Sequence, residues 1–207
     1  MTDFTAFAAI APTTFADVLS REQVMDIGIR PLWPDVPRIA GPAFTVQVPP
    51  GDNLMVHAAI YRAAPGSILV VEAGDVDYAV AGGNVLAVAK RNGIAGFVVD
   101  GVIRDLAEAR AAGMPVFARG VIPIPGVKSA VLPLNGTVRC GGVSVSAGDI
   151  VVADEEGIVV TPLARLDDVL LAAQAKLAKD EAQTLDEWEA AHRAKIDTLL
   201  TEGGFTG

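Results

Sequence analysis

A repeated order of buried apolar runs and helical segments in the middle of the chain constrains the fold most. Ile68–Val71 and Ile94–Val99 are continuous apolar runs of the length typical of strands covered on both faces. Residues 79–92 have helical spacing between these runs, and Leu106–Ala112 has it before a third strand at residues 113–120. Strands joined through helices in this way predict an α/β domain with a parallel or mixed sheet.

The last third of the chain changes character twice. Residues 138–160 alternate short β-branched runs with acidic turns, which predicts an antiparallel β section. After Pro162, apolar residues recur at helical spacing among many charges, and Trp188 lies within this segment. A helical arm of this length is a candidate for packing across a subunit boundary, although packing on its own core is equally ordinary.

Composition limits the class of protein. A chain of 207 residues with 51% hydrophobic side chains can form one packed core, and a net charge of −9 argues against a nucleic-acid binder, which needs Lys and Arg to neutralise phosphates. Cys140 is the only cysteine, so no intrachain disulfide can form. The N-terminus carries Asp3 rather than a basic region, and no run of apolar residues approaches 18, so we expect neither a signal peptide nor a membrane-spanning helix. We therefore expect a soluble cytoplasmic protein without nucleic-acid or membrane partners.

Two adjacent glycines interrupt the helical pattern of residues 79–92. Glycine lowers helix stability by about 1 kcal/mol relative to Ala, so the helix is expected to start at Gly83 or Asn84. The amide groups of Gly82, Gly83, Asn84 and Val85 would then lie at an open helix start, where they can bind a carboxylate or a phosphate. The alternative is close helix-to-sheet packing that leaves no room for a Cβ atom.

Arg104 and Asp105 follow shortly after the strand of residues 94–99, which is expected to end at Asp100-Gly101. An unpaired guanidinium at the end of a buried strand is costly, so Arg104 needs an anion. A bound ligand would supply one, and so would an internal salt bridge to Asp100 or Asp105. Asp105 is also placed to cap the helix Leu106–Ala112.

Other residues that could carry chemistry have simpler interpretations. His57 falls inside a short helix that follows Asn53, where a lone histidine is more often a packing residue than a ligand. Asp75 and Asp77 follow a strand, and a solvated acidic loop is favoured over a metal or substrate role.

Seven motifs, taken in order over residues 13–163, resemble the RraA-like family. That family includes class II 4-hydroxy-4-methyl-2-oxoglutarate aldolases and the regulator of ribonuclease E activity A. The motifs are Pro50-Gly51-Asp52-Asn53, Pro65-Gly66-Ser67, Gly82-Gly83-Asn84-Val85, Asp100-Gly101-Val102-Ile103-Arg104-Asp105, Pro115-Val116-Phe117-Ala118-Arg119-Gly120, Cys140-Gly141-Gly142-Val143 and Gly148-Asp149-Ile150-Val151-Val152-Ala153-Asp154-Glu155-Glu156-Gly157.

The resemblance implies a fold and an assembly. The fold is a swivelling β/β/α domain over residues 1–163, with residues 164–207 as a C-terminal helical arm that packs on the core or on a neighbouring subunit. The assembly is a homotrimer or homohexamer with active sites between subunits.

The resemblance also implies an activity. It is a metal-dependent lyase reaction that cleaves a 4-hydroxy-2-oxo dicarboxylic acid to pyruvate, with oxaloacetate decarboxylation as a side activity. Substrate would bind the amides of residues 82–85 and Arg104, and Asp105 would bind Mg²⁺ or Mn²⁺, so that Arg104 and Asp105 form the catalytic pair. The alternative is a non-catalytic protein-binding regulator that resembles the ribonuclease E inhibitor.

Two features depart from the family's aldolases. Those enzymes have an acidic residue in the loop that supplies the substrate-binding amides, here residues 82–85 and called the amide loop. This chain has Gly83 at that position or, if the alignment gap is placed differently, Asn84. They also use a glutamate from the C-terminal region of a neighbouring subunit, which contacts the groups bound to the metal rather than the metal itself. Glu181 is the candidate for this glutamate here. Missing outer carboxylates would weaken metal orientation or proton transfer.

Overall fold

The protein is described by a computed structural model that covers residues 4–207. The helices are α1 (Thr5–Ala8), α2 (Pro12–Ala16), α3 (Leu54–Ala59), α4 (Gly83–Arg91), α5 (Leu106–Ala112), α6 (Leu166–Glu181) and α7 (Leu185–Glu202). The strands are β1 (Arg30–Pro31), β2 (Ile39–Gln47), β3 (Ile68–Glu72), β4 (Gly96–Ile103), β5 (Val116–Val121), β6 (Val138–Cys140), β7 (Val143–Val145), β8 (Ile150–Asp154) and β9 (Gly157–Thr161). The helix after the glycine pair therefore starts at Gly83, as predicted.

Seven strands form one mixed sheet in the order β1-β5-β4-β3-β2-β8-β9. Strands β2, β3, β4 and β5 are parallel neighbours, while β1, β8 and β9 pair antiparallel. The prediction of an α/β protein with a parallel or mixed sheet is confirmed, and so is the antiparallel section at residues 138–160. The connections α3, α4 and α5 run between the parallel strands, because parallel neighbours need a long crossover.

The sheet is the middle layer of three. In β3, Leu69 and Val71 pack among residues of α3, α4 and α5, whereas Ile68 and Val70 pack among residues of the β6–β7 hairpin. Successive side chains of a strand point to opposite faces, which explains why an unbroken apolar run is needed here. This hairpin, sheet and helix order agrees with the β/β/α architecture expected from the resemblance.

The C-terminal helices differ in burial. In α6, Val169 and Ala173 are buried in a cluster with Phe15 of α2 and apolar residues of β8 and β9. In contrast, α7 buries none of its residues within the described chain, and Trp188 stacks only on His192 of the same helix. The division at residue 163 stays a prediction. Among residues 4–207, no helix is both long and apolar enough to cross a membrane.

Candidate functional site

A small cavity of about 80 Å³ lies where the parallel strands end. Each of the four parallel strands contributes to it from the segment that follows its carboxyl end, which is where ligands of α/β sheets usually bind. The polar and glycine residues that line it are Asn53 and His57 after β2, Gly82 and Asn84 after β3, Arg104 and Asp105 after β4, and Lys128 after β5.

Backbone hydrogen bonds hold the glycine pair beside the end of β4. The Val80 amide donates to the Val102 carbonyl (3.0 Å), and the Arg104 amide donates to the Ala81 carbonyl (3.0 Å). The segment before α4 therefore runs alongside the end of β4. This arrangement places Gly82 next to Arg104, two residues that are far apart in the sequence.

Neighbouring side chains approach Gly82 and Gly83 so closely that neither position has room for a Cβ atom. A Cβ atom on Gly82 would overlap the Asp105 carboxylate and crowd the Arg104 side chain, and one on Gly83 would overlap Glu108. The Gly83 amide donates a hydrogen bond to Asp105 Oδ2 (3.1 Å). The glycines thus permit close approach to Arg104, Asp105 and Glu108 rather than to the sheet, and the Gly83 amide binds the protein's own Asp105. Binding of a ligand by the other amides of residues 82–85 stays a prediction.

The next two amides precede the hydrogen bonding of α4. The bond that closes the first turn runs from the Leu86 amide to the Gly82 carbonyl (3.1 Å), and within the described chain the amides of Asn84 and Val85 have no acceptor. Both residues line the cavity. Two unpaired N–H groups with the positive end of the helix dipole can bind a carboxylate here.

Arg104 is less buried than the sequence suggested. Its Nε lies 3.4 Å from Asp105 Oδ2, and 40% of its side chain is exposed because it comes just after β4 ends. Asp100, the other predicted partner, instead forms an ion pair with Arg119, which also binds Asp26. Arg104 therefore keeps guanidinium N–H groups available to an anion, but burial does not force it to bind one.

Asp105 holds the N-cap position of α5, but its side chain does not cap that helix. The backbone adopts the left-handed conformation (φ 58°), which is uncommon for a residue other than glycine. The carboxylate is directed to α4 instead, where Oδ2 accepts from Gly83. The predicted cap was wrong about this side chain, and a strained backbone at a ligand-sized cavity is typical of functional sites.

The donor set around Asp105 is compatible with a hard divalent cation. Within residues 4–207, no three His, Cys, Asp or Glu side chains lie close enough together to hold a metal. Mg²⁺ commonly uses one or two carboxylates and keeps several waters, so a single carboxylate suffices. Oδ2 of Asp105 is fixed by Gly83, Oδ1 accepts no hydrogen bond from the described chain, and the side chain is 34% exposed.

A second carboxylate lies beside the amide loop. Glu108, three residues after Asp105, packs its side chain against Gly83 and occupies the space that a side chain at position 83 would need. Asp105 and Glu108 therefore both contact the start of α4. An exposed carboxylate therefore stands close to the position where the family's aldolases have their acidic loop residue.

Asp52 fixes the loop that carries Lys128. Its buried carboxylate accepts hydrogen bonds from the Ser129 amide (2.8 Å) and hydroxyl (2.6 Å), the Ala130 amide (3.0 Å) and the Leu54 amide (2.8 Å). Burial alone would raise the pKa of Asp52, but these hydrogen bonds outweigh it and lower the pKa to about 2.

We expect Asp52→Asn to destabilise the protein by about 2 kcal/mol at pH 7, because hydrogen bonds to a charged group are lost. The folded pKa of Asp52 lies below the usual 3.8, so the stability due to its ionised form is present above pH 3.8 and is lost as the pH falls toward 2. Urea unfolding of both proteins at several pH values measures this. The difference between them should shrink as the pH falls, and a difference that stays constant would contradict this assignment.

Two cavity residues were not identified as functional from the sequence. His57 was interpreted as a packing residue, but it is partly buried and lines the cavity. Asn53 is 2% exposed, its Nδ2 donates to the carbonyls of Ala79 (3.4 Å) and Gly126 (3.1 Å), and its Oδ1 has no partner in the described chain. Both follow β2, and their position after a strand is the signal that could have identified them.

Glu181 lies away from this cavity. It is the last residue of α6, is exposed, and does not line the cavity of its own chain. Its role behind the metal therefore stays a prediction that requires a neighbouring chain. Lys128, which the sequence did not single out, lines the cavity.

Residues 11–160 match the family described as RraA-like, aldolase/RraA. A protein of Halalkalibacterium halodurans with the provisional name 4-hydroxy-4-methyl-2-oxoglutarate aldolase is 42% identical over 199 residues, which is 95% of this chain and 94% of that protein.

Solved structures with the same fold include proteins described as inhibitors. A Streptomyces coelicolor protein, RraAS2, described as an unusual member of the RNase ES inhibitor RraA family, has a TM-score of 0.76 and 30% identity over 86% of this chain and 92% of that one. The RNA-processing inhibitor RraA from Thermus thermophilis has a TM-score of 0.66 and 27% identity over 72% of this chain and 91% of that one.

Proposed function

Because this chain belongs to the RraA-like family, we propose that it is a divalent-metal-dependent lyase that acts on a small 2-oxoacid. The reaction is retro-aldol cleavage of a 4-hydroxy-2-oxo dicarboxylic acid, of the 4-hydroxy-4-methyl-2-oxoglutarate type, to pyruvate and a second oxoacid. Oxaloacetate decarboxylation accompanies it. One observation carries the proposal: Arg104, Asp105 and the free amides of Asn84 and Val85 meet at one cavity.

The chain's own groups have separate tasks in this reaction. Arg104 binds the substrate carboxylate through two parallel hydrogen bonds, and the amides of Asn84 and Val85 add donors at the positive end of α4. Asp105 would hold Mg²⁺ or Mn²⁺, and Gly83 fixes the orientation of its carboxylate. A bound cation would polarise the keto oxygen and stabilise the charge of the pyruvate enolate. Donors that are already oriented need not reorganise as that charge develops.

Assembly is part of the proposal. We place the functional unit as a homotrimer or homohexamer, in which the C-terminal arm of one chain approaches the cavity of another. The exposed apolar residues of α7, which include Leu185, Trp188 and Leu199, support packing against another chain. Glu181, at the end of α6, would then supply a carboxylate behind the metal of the neighbouring site.

The direct test is pyruvate release from 4-hydroxy-4-methyl-2-oxoglutarate and from oxaloacetate, measured with Mg²⁺, with Mn²⁺ and with a chelator. We expect both substrates to be turned over with metal and neither with chelator. Absence of metal-dependent turnover would refute the enzyme. It would favour the protein-binding regulator instead, since relatives with this fold are described as RNA-processing inhibitors.

A further inference from the structure

Two polar residues at the start of α3, Asn53 and His57, form one wall of the cavity. The proposed function gives neither of them a role. Asn53 and His57 are one helical turn apart, so they lie on the same face of this helix, and both line the cavity. The Asn53 Oδ1 is buried without a donor, and the hydrogen bond that His57 makes in the described chain is that of its backbone amide to the Asn53 carbonyl (3.2 Å), so its imidazole is left for a ligand. A buried acceptor without a partner is costly, so this wall is suited to a ligand that carries a hydrogen-bond donor.

Two backbone carbonyls fix the orientation of the Asn53 side-chain amide. Its Nδ2 lies within hydrogen-bond distance of two carbonyl oxygens, those of Ala79 and Gly126. Exchanging the two atoms would bring the amide oxygen against those carbonyls, which cannot donate. The acceptor without a partner is therefore a property of the fold.

His57 is the group of this wall that can take up a proton. Burial, and then the positive charge of Lys128, lower the pKa of His57 below its usual value of 6.5, so the imidazole is neutral at pH 7 and keeps an acceptor nitrogen. The other ionisable side chains that line the cavity are Arg104, Asp105 and Lys128. Arginine and lysine only donate, and Asp105 is engaged with the metal in the proposed function. On α3's own C-terminal side, Tyr61 is exposed and Arg62 donates to the Ala58 carbonyl (3.0 Å).

We infer that His57 is the general base of the aldol cleavage and takes the proton of the substrate's 4-hydroxyl group. This inference rests on the proposed function. As the O–H bond breaks, its electron pair forms the C4 carbonyl, the C3–C4 bond breaks, and its electrons form the pyruvate enolate held by Arg104. The proton on His57 then leaves to solvent, and water supplies the proton that C3 of the enolate takes up, which completes pyruvate.

Oxaloacetate provides an internal comparison, because it has no 4-hydroxyl group. Its decarboxylation also breaks the C3–C4 bond and gives the same enolate, but CO₂ leaves directly and no hydroxyl proton needs an acceptor. Both reactions use Arg104, Asp105 and the metal. A group that serves only the hydroxyl proton must therefore affect one reaction and spare the other.

The test compares His57→Ala with the wild type on both substrates in the presence of Mg²⁺. We expect kcat/KM for aldol cleavage to fall by about 100-fold or more, the usual range for loss of a general base, while decarboxylation stays near the wild-type rate. In the wild type, the kcat/KM for cleavage should decrease at acidic pH as His57 becomes protonated. The kcat/KM for decarboxylation should not show this decrease. Added imidazole should restore part of the cleavage in His57→Ala.

Tyr61→Ala is the matched control, because Tyr61 follows α3, is 68% exposed and does not line the cavity. It should leave both reactions unchanged, and thermal unfolding should show that both variants are folded. Equal losses on both substrates, or no loss of cleavage, would overturn the role of His57 while leaving the lyase intact. A wild type that releases pyruvate from neither substrate would overturn the proposed function and this inference together.

Discussion

Replacing Asp105 with alanine is expected to abolish metal-dependent pyruvate release. Among residues 4–207, Asp105 is the one acidic residue that lines the cavity, its carboxylate is held in place by Gly83, and one of its oxygens is free. Loss of the metal's stabilisation of the enolate should lower kcat/KM by about 1000-fold, equivalent to about 4 kcal/mol of transition-state stabilisation. Steady-state rates over a range of Mg²⁺ or Mn²⁺ concentrations measure this loss.

Two further variants make the Asp105 result specific. Asp105→Asn keeps the size of the side chain and tolerates the left-handed backbone, so it separates loss of charge from a disturbed turn. Asp77→Ala removes an exposed carboxylate that follows the neighbouring strand without lining the cavity, and it should retain full activity. Near-normal rates for Asp105→Asn at low metal concentration would rule out Asp105 as the metal ligand.

Replacing Arg104 with alanine should remove most of kcat. The guanidinium has N–H groups free for an anion beside the open start of α4, and its interaction strengthens as negative charge develops on the enolate. We expect kcat to fall by about 100-fold, within the range observed when one oriented donor to such an oxygen is removed. Kinetics with oxaloacetate suffice, because decarboxylation and cleavage share this step.

The conservative variant and a surface control define the role of Arg104 further. Arg104→Lys keeps the charge but cannot give two parallel hydrogen bonds, so it should recover only part of the rate. Arg110→Ala removes an exposed arginine of α5 and should behave as the wild type. If Arg104→Ala raised KM while kcat stayed the same, Arg104 would bind substrate and transition state equally and would not stabilise the enolate.

Local sequence patterns predicted the scaffold well. The apolar run at residues 68–71, the glycine pair and the helix Leu106–Ala112 all appear at the expected positions, because strand burial and helix starts depend on neighbouring residues. Propensity and periodicity report such effects directly. The three-layer order was predicted from the family resemblance. No single segment of the sequence shows which face of the sheet the β6–β7 hairpin covers.

The site was harder to predict, because its contacts join segments that are distant in sequence. Asp105 was expected to cap its own helix, but its carboxylate binds Gly83, which lies 22 residues earlier. His57 was taken for a packing residue, since nothing in its own helix shows that Arg104 and Lys128 share its cavity. Only the rule that segments following parallel strands meet at one edge of the sheet connects them.

Placing each part of the site on a different loop has a consequence for how such a protein can evolve. The sheet, with Leu69 and Val71 on one face and Ile68 and Val70 on the other, is independent of the chemistry at its edge. One substitution after a single strand can therefore change substrate choice or end turnover while the outer surface persists. A fold organised in this way can be kept by selection for binding a protein after its catalysis is lost, which suits a family whose members are described both as aldolases and as RNA-processing inhibitors.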